Sequence, residues 1–218
     1  MSDTPKIEVS RRGFLKGAGL TAATTVLDTA TALAHDAQQA AKGDMAVGPD
    51  AVPIKLHVNG QEHAVSVEPR YTLAETLREH LNLTGTKVVC DRGSCSACTV
   101  WVDGAPQLAC MTLAVDAVGH KITTIEGLSH GEQLHPVQAA FIKHDALQCG
   151  FCTPGMVMSC AALLQRNPHP TLADVKHAVS GNLCRCGTYP KIFTATLDVA
   201  QNGSKSAGLL ELNTAEEG

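Results

Sequence analysis

Eight of the nine cysteines in this 218-residue chain fall into two sets, and their spacing constrains the fold more than any other feature. The first set reads C-x4-C-x2-C-x11-C: Cys90, Cys95, Cys98 and Cys110. The second reads C-x2-C-x31-C-x-C: Cys149, Cys152, Cys184 and Cys186. Cys160 stands outside both. Aromatic residues make up only 3% of the chain, so ring packing alone is a thin way to hold such loops in place.

The C-x4-C-x2-C core of the first set is the plant-type spacing for a 2Fe–2S cluster. Its intervening loop, Asp91-Arg92-Gly93-Ser94, is short and polar, and Gly93 lets the backbone wrap closely with its N–H groups toward sulfur. Such donors tune a cluster that carries net negative charge. The fourth cysteine follows after 11 residues, sooner than in plant ferredoxins. The single residue between Cys184 and Cys186 is unusual for zinc, which favours two to four. Disulfides are the competing reading for an exported protein, and eight cysteines allow 105 pairings. No C-x-H pair exists among the ten histidines, which excludes a Rieske centre. Cys160 lies on the apolar stripe of a helix with Met156, Leu163 and Leu164, the place of a small core residue.

Around the first set the pattern is strand-like. Ile54, Leu56 and Val58 alternate with Lys55 and His57. Asn59-Gly60 signals a hairpin, with a second strand through Val65 and Val67. Leu73, Leu77 and Leu81 recur at helical spacing, Thr99–Val102 is a strand, Asp103-Gly104 is another hairpin turn, and Ile122–Ile125 is a last strand. Around the second set four short helices are expected. Val137, Ala140, Phe141 and His144 mark the first, and Thr153 caps the second with Pro154 behind it. Thr171 with Asp174 caps the third, turning Leu172, Val175 and Val179 inward. Pro190 opens the fourth, carrying Ile192, Phe193, Thr196 and Val199. An up-down-up-down bundle brings its two cysteine loops to one end. The expected fold class is α+β: a ferredoxin-like domain (53–128) followed by an all-α four-helix-bundle domain (129–202).

The first 34 residues read as an export signal. Paired Arg11 and Arg12 precede a weakly apolar Ala- and Thr-rich stretch that ends in Ala32-Leu33-Ala34. The low hydrophobicity and the internal Asp28 fit the twin-arginine route, which carries folded proteins, and the periplasm is the expected destination. Residues 35–52 read as a linker and 203–218 as a polar tail. No run of 18 apolar residues exists, so no membrane span is expected. A net charge of −4 argues against nucleic-acid binding.

Three stretches, VVCDRGSCSACTVWVDG, QCGFCTPGM and GNLCRCGTYP, resemble the iron–sulfur subunit of the molybdenum hydroxylases, the xanthine oxidase family. With the export signal the chain is most similar to the small subunit of bacterial periplasmic aldehyde oxidoreductases. The resemblance implies a β-grasp fold for the first domain, with one 2Fe–2S cluster on Cys90, Cys95, Cys98 and Cys110. It implies a second on Cys149, Cys152, Cys184 and Cys186. It also implies that Gln148 and Cys186 approach the molybdopterin of a large partner subunit, and that a medium subunit carries FAD, making a heterotrimer. Electrons would then pass singly from the molybdopterin site through two clusters to flavin, with no catalytic residue in this chain. A stand-alone ferredoxin-like carrier, or the small subunit of a purine, N-heterocycle or CO hydroxylase, are the alternatives.

Overall fold

The computed structural model describes residues 48–213 apart from His130 and Glu132, with side chains described as far as residue 202. The expected signal peptide, most of the linker and the last five residues lie outside the described residues.

The alternating segment forms β1 (Val52–Val58), with Leu56 and Val58 fully buried and Lys55 and His57 exposed. It pairs antiparallel with β2 (Gln61–Val67). The turn between them places Asn59 and Gly60 at φ 51° and 82°, the doubly left-handed pair that a two-residue hairpin needs. A second hairpin joins β3 (Thr99–Val102) to β4 (Ala105–Leu108) through Asp103 and Gly104, at φ 50° and 79°. The strand β5 (Lys121–Thr123) runs parallel to β1 and antiparallel to β3, giving the order β2-β1-β5-β3-β4. It stops short of the expected Ile125, which instead opens a 3-10 turn, Ile125–Leu128.

One helix covers this mixed sheet. Thr72 caps α1 (Leu73–Glu75), with Glu75 returning the capping-box bond, and the chain continues as a π-helical turn, Thr76–His80. Leu73, Ala74 and Leu77 pack with Leu56, Val58, Val100 and Ile122 into one core. Each such fully buried Leu or Ile contributes about 1.5–3 kcal/mol of apolar transfer.

The second half holds α2 (Pro136–Lys143), α3 (Thr153–Arg166), α4 (Leu172–Ala178) and α5 (Tyr189–Asn213). Val137, Phe141, Met156, Cys160 and Ile192 are buried together. Two details differ from the sequence reading. Thr153 does not cap α3: Cys152 occupies the N-cap position, and the Thr153 hydroxyl is buried without a partner. Leu172 is 45% exposed rather than turned inward, because Val175 and Val179 already fill the buried side of α4. The Thr171–Asp174 capping box is present as expected. The helix α5 runs on through residue 202 to Asn213. Among the described residues no helix is long and apolar enough to cross a membrane.

The two cysteine-bearing halves interlock within one compact unit. The Trp101 indole N–H of β3 donates to the Met158 carbonyl of α3 at 3.0 Å, and its ring belongs to the helical core. Gly155 of α3 lies so close to the Ser96–Ala97 backbone that a Cβ there would come within 2.3 Å of the Ser96 oxygen.

Candidate metal centre

The first thiol set is built on a loop that wraps back on itself. Asp91, Gly93 and Ser96 take φ values of 52°, 73° and 53°, so the chain between Cys90 and Cys98 repeatedly turns left-handed. That curvature aims main-chain donors inward: Ser94 N–H reaches Cys90 Sγ at 3.2 Å, and Gly93 N–H reaches Cys110 Sγ at 3.4 Å. Cys95, Cys98 and Cys110 are buried and Cys90 is half-buried. Cys110 arrives from the 3-10 turn after β4, Ala109–Met111, which brings the distant fourth thiol back to the loop.

The second set comes from two loops of the helical half, α2–α3 and α4–α5. The thiols of Cys152 and Cys184 meet as hydrogen-bonding neighbours, and so do those of Cys149 and Cys186. The expectation that both loops lie at one end therefore holds for all four sulfurs. Cys152 and Cys184 are half-buried, whereas Cys149 and Cys186 are exposed. Gln148, expected beside them, is exposed too. The glycines after Cys149 and Cys186, Gly150 and Gly187, turn at φ 79° and 77°.

Metal binding requires thiolates, and both sets contain a thiol whose surroundings favour loss of its proton; in the second set Cys149 is lowered too, by the Phe151 backbone N–H. Hydrogen bonding from the Arg92 backbone, opposed by some burial, lowers Cys90 to about 7. Burial pushes the Cys184 thiol up, but the Thr188 hydroxyl and surrounding N–H groups outweigh it and bring the value down to about 7. Burial raises Cys98 and Cys152 to about 12. All nine cysteines are free thiols, so no disulfide competes for these sulfurs. Cys160 is fully buried on α3, and burial pushes its thiol up to about 11. Among the described residues no group of three or more His, Cys, Asp or Glu is arranged to hold a single metal ion, as a mononuclear zinc site would require. The donor set fits a larger inorganic group instead: eight soft sulfurs, four to a set, with N–H donors aimed at them.

A cavity of about 420 Å³ connects the sets, lined by Cys90 and Cys95 from one and Cys149, Cys152 and Cys184 from the other. Between them the backbones touch: Leu183 N–H donates to the Cys95 carbonyl at 3.0 Å. Asn182, 3% exposed, donates its side-chain amide to Ser96 O at 3.1 Å and accepts from the Ser159 hydroxyl at 3.0 Å. The Tyr189 hydroxyl accepts from Cys184 N–H and donates to Asn182 O, both at 2.9 Å. Val89, Phe151 and Leu183, each more than half exposed, rim the same cavity, with Arg185 beside them. Sequence reasoning missed Asn182 and Tyr189. Their only signal was position, two residues before Cys184 and three after Cys186.

Two family models match these halves: a 2Fe-2S iron-sulfur cluster binding domain over residues 56–115, and a [2Fe-2S] binding domain over 124–197. A twin-arginine translocation pathway signal sequence matches residues 8–27, marking the chain for export. The chain is 42% identical over 209 residues to the aldehyde oxidoreductase iron-sulfur-binding subunit PaoA of Escherichia coli K12, covering 89% of each. It is 49% identical to the nicotine 6-hydroxylase small subunit of Paenarthrobacter nicotinovorans, over 72% of this chain and 95% of that one. Among solved structures, quinoline 2-oxidoreductase from Pseudomonas putida 86 matches with a TM-score of 0.69 at 46% identity, over 72% of this chain and 98% of that one. The aldehyde oxidoreductase of Desulfovibrio gigas matches with a TM-score of 0.66 at 40% identity, over 70% of this chain and 17% of that one.

Proposed function

The chain belongs to the iron–sulfur subunits of the molybdenum hydroxylases, and on that premise we propose that it is the electron-transfer subunit of a molybdenum-dependent aldehyde oxidoreductase. In this reading Cys90, Cys95, Cys98 and Cys110 hold one 2Fe–2S cluster, and Cys149, Cys152, Cys184 and Cys186 hold the other. The first half is then a β-grasp ferredoxin-like domain (53–128) and the second a four-helix bundle (129–202). Partner subunits bind molybdopterin and FAD in a heterotrimer, with Gln148 and Cys186 facing the pterin. The exported complex works in the periplasm, after removal of residues 1–34.

The observation that carries this reading is the gathering of eight free thiols into two sets of four, with Cys90 and Cys95 of one set and Cys149, Cys152 and Cys184 of the other facing one cavity whose walls are joined by the Leu183–Cys95 backbone hydrogen bond. A 2Fe–2S cluster accepts and passes on one electron at a time, which divides a two-electron aldehyde oxidation into single steps. The residues of this chain do the rest. The Cys95 carbonyl and the Leu183 amide, next to Cys184, form a short bonded route between the two sets. The Ser94 and Gly93 amides stabilise negative charge at the inner sulfurs. Exposed Cys149, beside Phe151, Val89 and Leu183 on the cavity rim, and exposed Cys186 offer the face on which a molybdopterin subunit would exclude water.

The aldehyde substrate rests on PaoA, whose match extends over 89% of the chain. An N-heterocycle is the second reading, favoured by the higher identity of the nicotine 6-hydroxylase small subunit over a shorter span. Purified with its partners, the chain should carry about four irons and four acid-labile sulfides, two of each per binuclear cluster. It should also give two distinct low-temperature EPR signals after dithionite reduction. Zinc in place of iron, or a colourless preparation, would defeat the proposal. Turnover of benzaldehyde-type against pyridine-type substrates separates the two readings.

A further inference from the structure

The two thiol sets recruit hydrogen-bond donors of different kinds. At Cys90 and Cys110 the donors are main-chain amides. At Cys184 a side chain joins in: Thr188 Oγ1 lies 3.2 Å from the Cys184 sulfur. We infer that Thr188 is a positioning residue that sets the reduction potential of the helical-domain cluster, through a hydroxyl hydrogen bond to Cys184 Sγ. This rests on the reading of the eight cysteines as cluster ligands.

The direction of that bond follows from the chemistry. A ligating cysteine is a thiolate without a proton, so the hydroxyl must donate. The local geometry explains why it is free to do so. Thr188 sits just before α5, where a threonine hydroxyl ordinarily accepts from the second or third amide of the helix. Pro190 has no N–H, and the Lys191 and Ile192 amides are both satisfied by the Thr188 carbonyl at 3.1 Å. The helix therefore makes no claim on the hydroxyl. The sulfur is held against it because Tyr189 ties down Cys184 N–H and Asn182 O. Thr188 and Cys184 are both half-buried, so water competes less for this bond than it would at exposed Cys149 and Cys186.

A hydrogen bond to sulfur favours whichever redox state places more negative charge there. One-electron reduction adds that charge, so the Thr188 bond stabilises the reduced state and raises the potential. The test is an EPR-monitored redox titration of the holocomplex with dithionite as the electron source. In T188V the helical-domain cluster should be about tenfold harder to reduce at a fixed potential, which for a one-electron couple is about 59 mV. The ferredoxin-like cluster should not move, and T188S should restore the wild-type value. An unmoved potential in T188V, or an equal shift of both clusters, overturns the inference. If T188V fails to load its cluster, T188A and T188S are compared instead. In D2O, wild type and T188S should then show one more exchangeable deuteron coupled to the reduced cluster than T188A, and an identical count overturns it. Wild type that carries no iron at all would sink the reading of the cysteines and not this inference specifically.

Discussion

Gly155 shows how much rests on one hydrogen atom. A methyl group there would meet the Ser96 carbonyl oxygen at 2.3 Å and the Ala97 Cα at 3.1 Å, and neither backbone atom can swing aside. Gly155→Ala should therefore cost at least about 1–3 kcal/mol, read as a lowered denaturation midpoint. A neutral result would mean the two halves are not held this close. At Cys186, substitution by Ser removes a sulfur from the second set. Its EPR signal should change while the ferredoxin-like signal persists, because the first set draws no sulfur from that loop. The grouping of the cysteines was legible from spacing, since Cys90, Cys95 and Cys98 share one short loop, as do Cys149 with Cys152 and Cys184 with Cys186, while Cys110 is returned to its set by the β3–β4 hairpin. Thr188 was not legible: whether a hydroxyl caps a helix or bonds a sulfur depends on where the loop folds back. The same limit explains Thr153, where the sequence pattern suggested a cap but the structure gives that position to Cys152.

At the scale of elements, an ionic tie links α2 to α5. Asp198 on α5 accepts from Lys143 at 2.7 Å and lies 2.9 Å from His144 Nε2. The Lys143 hydrogen bond, with His144 second, holds the Asp198 carboxyl at about 2, below its ordinary 3.8. A depressed carboxyl takes up its proton more readily in the unfolded chain. The stabilisation is therefore complete above about pH 4 and is lost as the pH falls through about 2. Asp198→Asn should flatten the acid limb of a stability-against-pH curve within that window, leaving the rest of the curve parallel to wild type. An unchanged acid limb would show that the tie contributes nothing. Elements were read most securely where local chemistry decides them: the Asn59-Gly60 and Asp103-Gly104 turns and the Thr171–Asp174 box all formed as expected. The inward face of α4 was read less well. Its period allowed Leu172 inside, and only the packing of neighbouring helices left it at the surface.

For the molecule as a whole, the order of events matters. Twin-arginine export carries folded cargo, so both thiol sets can be filled before the chain leaves the cytoplasm. Replacing Arg11 and Arg12 together by Lys should leave the loaded protein in the cytoplasm, measured by cell fractionation. Undiminished export would show that residues 8–27 are not the signal.

Trp101 is the lone tryptophan of the sequence, and its indole bridges the seam between sheet and helices through the Met158 carbonyl. Nature has thus installed a built-in optical probe at the junction. Its emission should be blue-shifted in the intact protein, where the ring is buried, and redden if the seam opens. Ordinary fluorimetry can follow separation of the halves without any added dye.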